Sequence, residues 1–406
     1  MYNTVITLIA FLLRLVAPFH KKLRLMTSGH KHTYRRLKKE IDRSAQYVWF
    51  HAASLGEFEQ ARPLIEAVRR EHPAYKILLT FFSPSGYEVR KDYPLADIVC
   101  YLPFDTRRNV RRFLDLASPQ VAIFIKYEFW YNYIHESYLR QIPLYLVSAV
   151  FRPNQFFFRK SGLQYRKVLQ YYTHFFVQDE ASAQLLKDHH IQQVTVAGDT
   201  RIDRVIEIQK EARQLPVVEK FADDSPLVFV AGSSWAPDEE IFIDYFNSHP
   251  AMKLIIAPHE IHESHLAEIE QKLLRPCIRY SQATEENARQ HDCLIIDCFG
   301  LLSSIYRYAH IGYIGGGFGA GIHNLAEAAV YGIPVIFGPN YGKFREAHGL
   351  IEQGGGFFID NKVAFNRQMD LFMSDPSTRI QAGEKANAYI FGNAGATSKI
   401  TRHLSL

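Results

Sequence analysis

The sequence predicts an α/β protein of two doubly wound, Rossmann-like domains facing a central cleft, with an N-terminal membrane-anchor helix ahead of them. Three observations carry this. From residue 47 onward, short β-branched or aromatic runs alternate with helical stretches, the pattern of a parallel sheet covered on both faces. That pattern pauses over a charged, proline-bearing stretch at 205–226 and then restarts. An apolar run opens the chain, and a basic segment follows it directly.

Composition bounds the class. The 406 residues are 47% hydrophobic and 22% charged, which excludes a disordered chain. A formal charge of +5 is too mild to mark a nucleic-acid binder, and no nucleic-acid partner is expected. Cys100, Cys277, Cys293 and Cys298 form no CxxC pair; they suit a reducing compartment and argue against a zinc ribbon.

The elements follow in order. Residues 4–19, TVITLIAFLLRLVAPF, are apolar but for a few positions, with a charge only at Arg14. A full span needs about 20 apolar residues, so the run is a marginal transmembrane helix or an interfacial anchor. No Lys or Arg precedes it and no small-x-small site closes it, so a cleaved signal peptide fits poorly. Residues 20–43 then carry nine Lys/Arg against Glu40 and Asp42, a local +7 that is expected to stay on the cytoplasmic side against an anionic membrane surface. A buried helix with a solvated basic face would read the same way. Strands are predicted at 47–50, 76–82, 97–102, 121–125, 143–149, 174–178 and 194–198, and again at 227–233, 253–258, 293–298, 310–316, 334–339 and 355–359. Between Glu57 and Arg70 the spacing of Phe58, Ala61, Leu64, Ile65 and Val68 predicts a helix. The resulting boundaries are 1–43 for anchor and basic segment, 44–208 for the first domain, 209–225 for a linker and 226–406 for the second domain. A terminal helix at 375–400 is able to pack back on the first domain.

Chemistry-bearing residues gather where strands run into loops. In HAASLGEFEQ (51–60), Ser54 and Gly56 keep the approach open and Glu57 lies where strand becomes helix. A carboxylate there can accept a proton from an attacking hydroxyl, or simply compensate a helix dipole. YIGGGFGAGIHNLAEAAVYGIPVIFGP (313–339) reads strand, glycine loop, helix, strand, which is a candidate anion site; tight packing of helix on sheet is its structural alternative. Gly315, Gly317 and Ala320 fit G-x-G-x-x-A, yet the next strand ends in Gly338-Pro339-Asn340 without the acid a dinucleotide ribose requires. Glu327, one turn past Asn324, is placed to accept from ribose hydroxyls. In AGSSWAPDEE (231–240), Ser233 and Ser234 are predicted helix caps with phosphate contact as a second role. His259, His262 and His265 recur every three residues without an HExxH pattern; no metal is expected, and His259 is assigned to a phosphate or base. Glu128 in IKYEFWYNY sits amid aromatics, where burial is costly unless the group is paired or functional. FRPNQFFFRK (151–160) interleaves Arg152, Arg159 and Lys160 with four phenylalanines. That mixture suits a phosphorylated, acylated partner at a membrane, and equally a loop that packs its aromatics on the domain.

Taken together, HAASLGEFEQARPLIEAVR, KILLTFFSPSGYE, YEFWYN, GDTRIDR, AGSSWAPDEE and GAGIHNLAEAAVYGIPVIFGPNYGKFREA resemble the 3-deoxy-D-manno-octulosonic acid (Kdo) transferases of lipopolysaccharide assembly, over residues 46 to 395. The resemblance implies the GT-B glycosyltransferase fold and CMP-Kdo as donor, with no cofactor or metal. It implies a lipid A precursor (lipid IVA) as acceptor at the cytoplasmic face of the inner membrane. It assigns the first domain to acceptor binding and the second to the nucleotide sugar. By motif, Glu57 matches the general base and Glu128 a second functional glutamate. Gly321, His323, Asn324 and Glu327 match the nucleotide-binding run, with the glutamate on the CMP ribose, and Ser233 and Ser234 match the G-S-(S/T) loop. This chain departs from the family pattern at Pro258, where many members carry arginine, at Lys126, where an acid is common, and at Val150, where an arginine is common.

Three other readings stay open. One is another GT-B nucleotide-sugar transferase or a sugar-nucleotide epimerase. The second is a nicotinamide oxidoreductase, disfavoured by the missing ribose-binding acid. The third is a non-catalytic, membrane-bound nucleotide-sugar binding protein.

Overall fold

The computed structural model describes residues 2–223 and 225–406, without the side chains of Ser161 and Gln164. The described chain divides into two compact units. The first runs to Arg204 and takes in Ala394–Leu406; the second is Val205–Asn393.

The first domain is built on a seven-stranded parallel sheet. Its strands are β1 (Tyr47–Ala52), β2 (Lys76–Phe81), β3 (Ile98–Tyr101), β4 (Val121–Ile125), β5 (Leu144–Ala149), β6 (His174–Val177) and β7 (Val194–Val196), in the order β3-β2-β1-β4-β5-β6-β7. Helices cover both faces, so the strands are buried on both sides and read as apolar runs. Trp49 packs with Phe113, Phe124 and Tyr133 on one face, and Phe50 with Phe58, Leu64 and Phe81 on the other. The helix predicted from 57 begins at Leu55 and runs to Glu71, with all five predicted face residues buried.

The second domain repeats the plan. Its strands are β8 (Leu227–Ser234), β9 (Met252–Pro258), β10 (Cys277–Arg279), β11 (Cys293–Ile295), β12 (Ile311–Ile314), β13 (Val335–Phe337) and β14 (Gly356–Phe358), ordered β10-β11-β9-β8-β12-β13-β14 and parallel throughout. The sequence reading misses only β10, a half-buried three-residue edge strand with a single strongly apolar residue, Ile278.

Three boundaries differ from expectation. The division at Arg204–Val205 falls inside the helix Thr200–Lys210, ahead of the predicted linker 209–225. Part of that segment is the helix Pro216–Ala222, because Val218 and Phe221 form an apolar face that the charges obscure; its Asp224 lies outside the described residues. The terminal helix is two helices, Pro376–Gly392 and Ala396–Thr401, separated at Gly395, whose φ of +94° a side chain would resist. The second of these belongs to the first domain. Asp203 accepts from the Gly395 and Thr397 amides, each at 2.6 Å, and Ile400 and Leu404 join the core around Phe50.

At the amino end, Tyr2–Val16 is helical, Ala17–Phe19 is a 3₁₀ turn, and Lys21–Glu40 is a second helix. Among the described residues, Tyr2–Phe19 is the one stretch long and apolar enough to cross a membrane. The basic segment is an amphipathic helix that buries Met26, His30, Thr33 and Leu37.

Candidate active site

In a doubly wound sheet, ligands bind beyond the carboxyl ends of the strands, where the strand order reverses. In the first domain that point lies between β1 and β4. Ser54, Gly56 and Glu57 follow β1, Glu128 follows the adjacent β4, and Arg152, Arg159 and Lys160 follow β5, the next strand over. Ser54 precedes the helix Leu55–Glu71, and its hydroxyl donates to Glu57 Oε2 in the first turn. A Cβ on Gly56 would meet only Ser54 Oγ, at 3.9 Å, so packing does not demand glycine there.

Glu128 is buried. Its Oε2 lies 3.1 Å from His51 Nε2 and accepts from the Trp130 indole, while its backbone carbonyl accepts from Tyr172 Oη at 2.6 Å. His51, fully buried at the end of β1, has Nδ1 2.9 Å from the Thr80 hydroxyl and 3.1 Å from the Thr80 carbonyl. Pairing and hydrogen bonding thus offset the desolvation of Glu128 and fix the 126–130 loop. His51 escaped the sequence reading; a lone histidine within an apolar strand was its available signal.

Tyr127 reports how the loops converge. Its hydroxyl is raised above the ordinary range by burial, with Arg152 pulling it down and Asp179 and Glu57 pushing it up. The loops after β1, β4, β5 and β6 therefore share one neighbourhood. Asp199, in the GDTRIDR run, accepts from Gln178 at 3.1 Å and from Arg201 at 2.7 Å. Burial would raise its carboxyl, but the Arg201 guanidinium holds it below the usual range. The basic-aromatic segment divides its labour. Phe151 and Phe157 enter the core, whereas Phe156, Arg152, Arg159 and Lys160 are exposed.

In the second domain the order reverses between β8 and β12. Ser233 and Ser234 end β8, and the glycine loop follows β12. The serines are not helix caps. Ser233 adopts φ +53°, and buried Ser234 donates to Glu239 Oε1 at 2.9 Å. Glu239 in turn faces His265 Nε2 at 3.0 Å, so the three histidines do not share one cluster. The helix Ala236–Ser248 is capped instead by Asp238, which accepts from the Trp235 amide at 3.0 Å. The same buried carboxylate accepts from the Gly316 amide and from Tyr313 Oη, each at 2.8 Å. Burial raises its carboxyl above the usual range, against the lowering effect of these donors.

The glycine loop differs from the predicted loop-plus-helix. Gly319 and Gly321 amides return to the Gly316 carbonyl, Gly321 takes φ +134°, and the following helix is only Ala326–Ala329. One turn supplies little macrodipole, so the anion site expected at that helix start is not built from it. Gly315 and Gly317 instead permit close backbone contact: added Cβ atoms would lie 2.2 Å from the Ser233 carbonyl oxygen and 2.6 Å from Gly338. Gly317→Ala should therefore push the β12 and β13 loops apart and lower stability by about 1–3 kcal/mol, read as a shift in urea midpoint.

What the loop does assemble is an aromatic stack. Trp235 lies on His259 with ring centroids 4.5 Å apart, and His259 on His323 at 4.6 Å. The Trp235 indole donates to His323 Nε2 at 3.3 Å. Burial, then the proximity of His259, lowers the His323 imidazole below its ordinary 6.5. Asn324 Nδ2 donates to Glu327 Oε1 at 3.0 Å, joining two residues that the resemblance assigns to the nucleotide. An anion beside this stack favours the charged ring. An NMR pH titration should accordingly show the His323 imidazole titrating below 6.5 in the free protein and moving upward when an anion binds beside it.

Paired doubly wound domains of this kind define the GT-B class. The fold is similar to UDP-GlcNAc 2-epimerase from Neisseria meningitidis bound to UDP-GlcNAc, with a TM-score of 0.61 at 14% identity, covering 88% of this chain and 99% of that one. Residues 27–204 match the family model described as 3-deoxy-D-manno-octulosonic-acid transferase. The 3-deoxy-D-manno-octulosonic acid transferase of Aquifex aeolicus is 28% identical over 323 residues, 78% of this chain and 83% of its own length. That of Chlamydophila psittaci is 25% identical over 367 residues, 87% and 83% respectively. In sequence the chain is thus similar to the 3-deoxy-D-manno-octulosonic acid (Kdo) transferases, which are glycosyltransferases.

Proposed function

We propose that this chain transfers Kdo from CMP-Kdo to the lipid A precursor lipid IVA, with inversion and with Glu57 as general base. The observation that carries this reading is the position of Glu57, in the first helical turn after β1 at the reversal point of the first sheet. Glu57 takes the proton of an acceptor hydroxyl as the oxygen attacks the anomeric carbon of Kdo. The bond to CMP breaks with its electron pair going to the phosphate, so one displacement inverts the centre. Ser54 orients the base through its hydrogen bond. Glu128, held by His51 and Trp130, acts as a positioning group for its loop.

On the donor side, Glu327 and Asn324 take the ribose and the glycine loop lies against the nucleotide. His259 and His323 meet the phosphate charge. No cofactor or metal enters the scheme. Arg152, Arg159 and Lys160 contact acceptor phosphates, and Tyr2–Phe19 holds the enzyme on the cytoplasmic face of the inner membrane.

The test is incubation with CMP-Kdo and tetraacylated lipid A precursor, read by product mass. Addition of Kdo to the precursor is expected. Turnover of another nucleotide sugar, with CMP-Kdo inert, overturns the donor assignment.

A further inference from the structure

The amino-terminal helix does not stand away from the first domain. Tyr2 Oη donates to Asp105 Oδ2 at 2.5 Å, and its ring packs on Tyr131 and Tyr165 at 5.4 and 5.8 Å. Further along, Ala10 and Leu13 pack with Met26, Phe104 and Phe82. A helix of 15 residues is about 22 Å long. With contacts along that length on one domain, it cannot also carry its start across a bilayer. Its outer face, Val5, Leu8, Ile9, Leu12, Leu15 and Val16, is exposed, as an in-plane anchor requires.

Beneath this helix lies a groove of about 780 Å³. Ala10, Phe11 and Phe104 form an apolar wall, and Arg14, Lys31, Arg107, Arg108 and Arg112 line the rest, without an acidic residue. None of these five cations makes an ion pair among the described residues. His30 also lines the groove. It is 5% exposed, and neither ring nitrogen has a hydrogen-bond partner. The Arg107–Ala117 helix begins with two arginines and has no acid in its first turn, so like charges sit at the positive end of its dipole. Arg107–Arg111 and Arg108–Arg112 add repulsion one turn apart. Folding alone does not favour such an arrangement; a bound anion does. The groove continues along Thr7, Leu8 and Phe11 into a second open channel, so a phosphate seated among the arginines can lead an acyl chain out along the helix.

We propose that this groove is a binding site for the phosphate headgroup of an anionic bilayer phospholipid, with the Tyr2–Val16 helix lying in the membrane plane above it. This rests on the membrane association proposed above, and it is separate from the acceptor contacts assigned to residues 152–160.

The full chain is tested with phosphatidylcholine vesicles with and without phosphatidylglycerol, and by native mass spectrometry after detergent release. Wild type should sediment with both vesicle types, more with the anionic ones, and retain one phosphatidylglycerol but no phosphatidylcholine. R107Q/R108Q/R112Q removes the cations, and Thr7→Trp fills the groove at constant charge. Both should keep neutral-vesicle binding and lose the retained lipid. K21Q/K22Q/R24Q, outside the groove, should keep it. R107Q/R108Q, which spares the Arg112 guanidinium packed over the Tyr34 ring, removes charge from the positive end of a helix; it should melt no lower than wild type and still lose the lipid, which separates lost lipid from lost fold. Equal loss in the Lys21 variant, or retention in the groove variants, overturns the site. Tight binding of free glycerol phosphate or inorganic phosphate overturns the lipid as occupant. Failure to bind any vesicle overturns the membrane reading itself, whereas neutral binding without retained lipid overturns only the groove.

Discussion

Glu57→Gln should lower Kdo transfer by about 10² or more, the range of a positioned general base, while CMP binds as in wild type. The split follows from where the two groups lie. Glu57 belongs to the first domain, and the Trp235–His259–His323 stack with Asn324 and Glu327 belongs to the second. The amide keeps the size and the Ser54 hydrogen bond but cannot take a proton. Product mass over time measures turnover, and calorimetry measures CMP. Ser54→Ala should cost less, since it frees Glu57 to rotate without removing it. If Glu57→Gln transfers at the wild-type rate, the carboxylate merely compensates the helix dipole.

Asp238→Ala should strongly destabilise the second domain. It strands the Tyr313 hydroxyl and the Gly316 amide, each worth about 1–3 kcal/mol when buried and unpaired. It also removes the cap of Ala236–Ser248, worth about 1 kcal/mol. Relief of a buried carboxylate offsets part of this, leaving a loss of about 3 kcal/mol, read as a shift in urea midpoint. The pH dependence has a defined sign. Burial raises the folded-state value of Asp238 above its ordinary 3.8, so wild type loses stability as pH rises through 3.8 toward the folded value. The variant lacks that slope, and the gap between the two should be widest in acid. CMP affinity should fall as well, because Asp238 ties the glycine loop to the start of the helix.

Much of the architecture was legible because both sheets are parallel and covered. A strand such as Val121–Ile125 is apolar on both faces and announces itself without alternation. β10 gave no such signal, being a short, half-buried edge. The candidate site was legible where chemistry and position coincide, as at Glu57 after β1. It was illegible where a side chain's role depends on a partner far along the chain. Ser234 looks like a cap until Asp238 takes that place and Glu239 takes its hydroxyl. Gly317 looks like a phosphate cradle until Gly338, on the next strand, comes within a Cβ's reach. His51 and Glu128 are 77 residues apart, and no local pattern joins them. Likewise the helix after the glycine loop has good helix formers in LAEAA, yet the loop's own hydrogen bonds hold the chain until Ala326.

The return of residues 394–406 to the first domain bears on how the chain is made. Asp203 and the core around Phe50 wait for Gly395, Thr397, Ile400 and Leu404, which the ribosome adds only after the whole of Val205–Asn393. At about 5–20 residues per second, that interval is roughly 10–40 s. Through it the first domain carries an open apolar seam while its amino-terminal helix is already free to seek a bilayer. On the proposed anchoring, membrane docking precedes completion of the domain, and a fragment ending at Arg204 keeps that seam permanently.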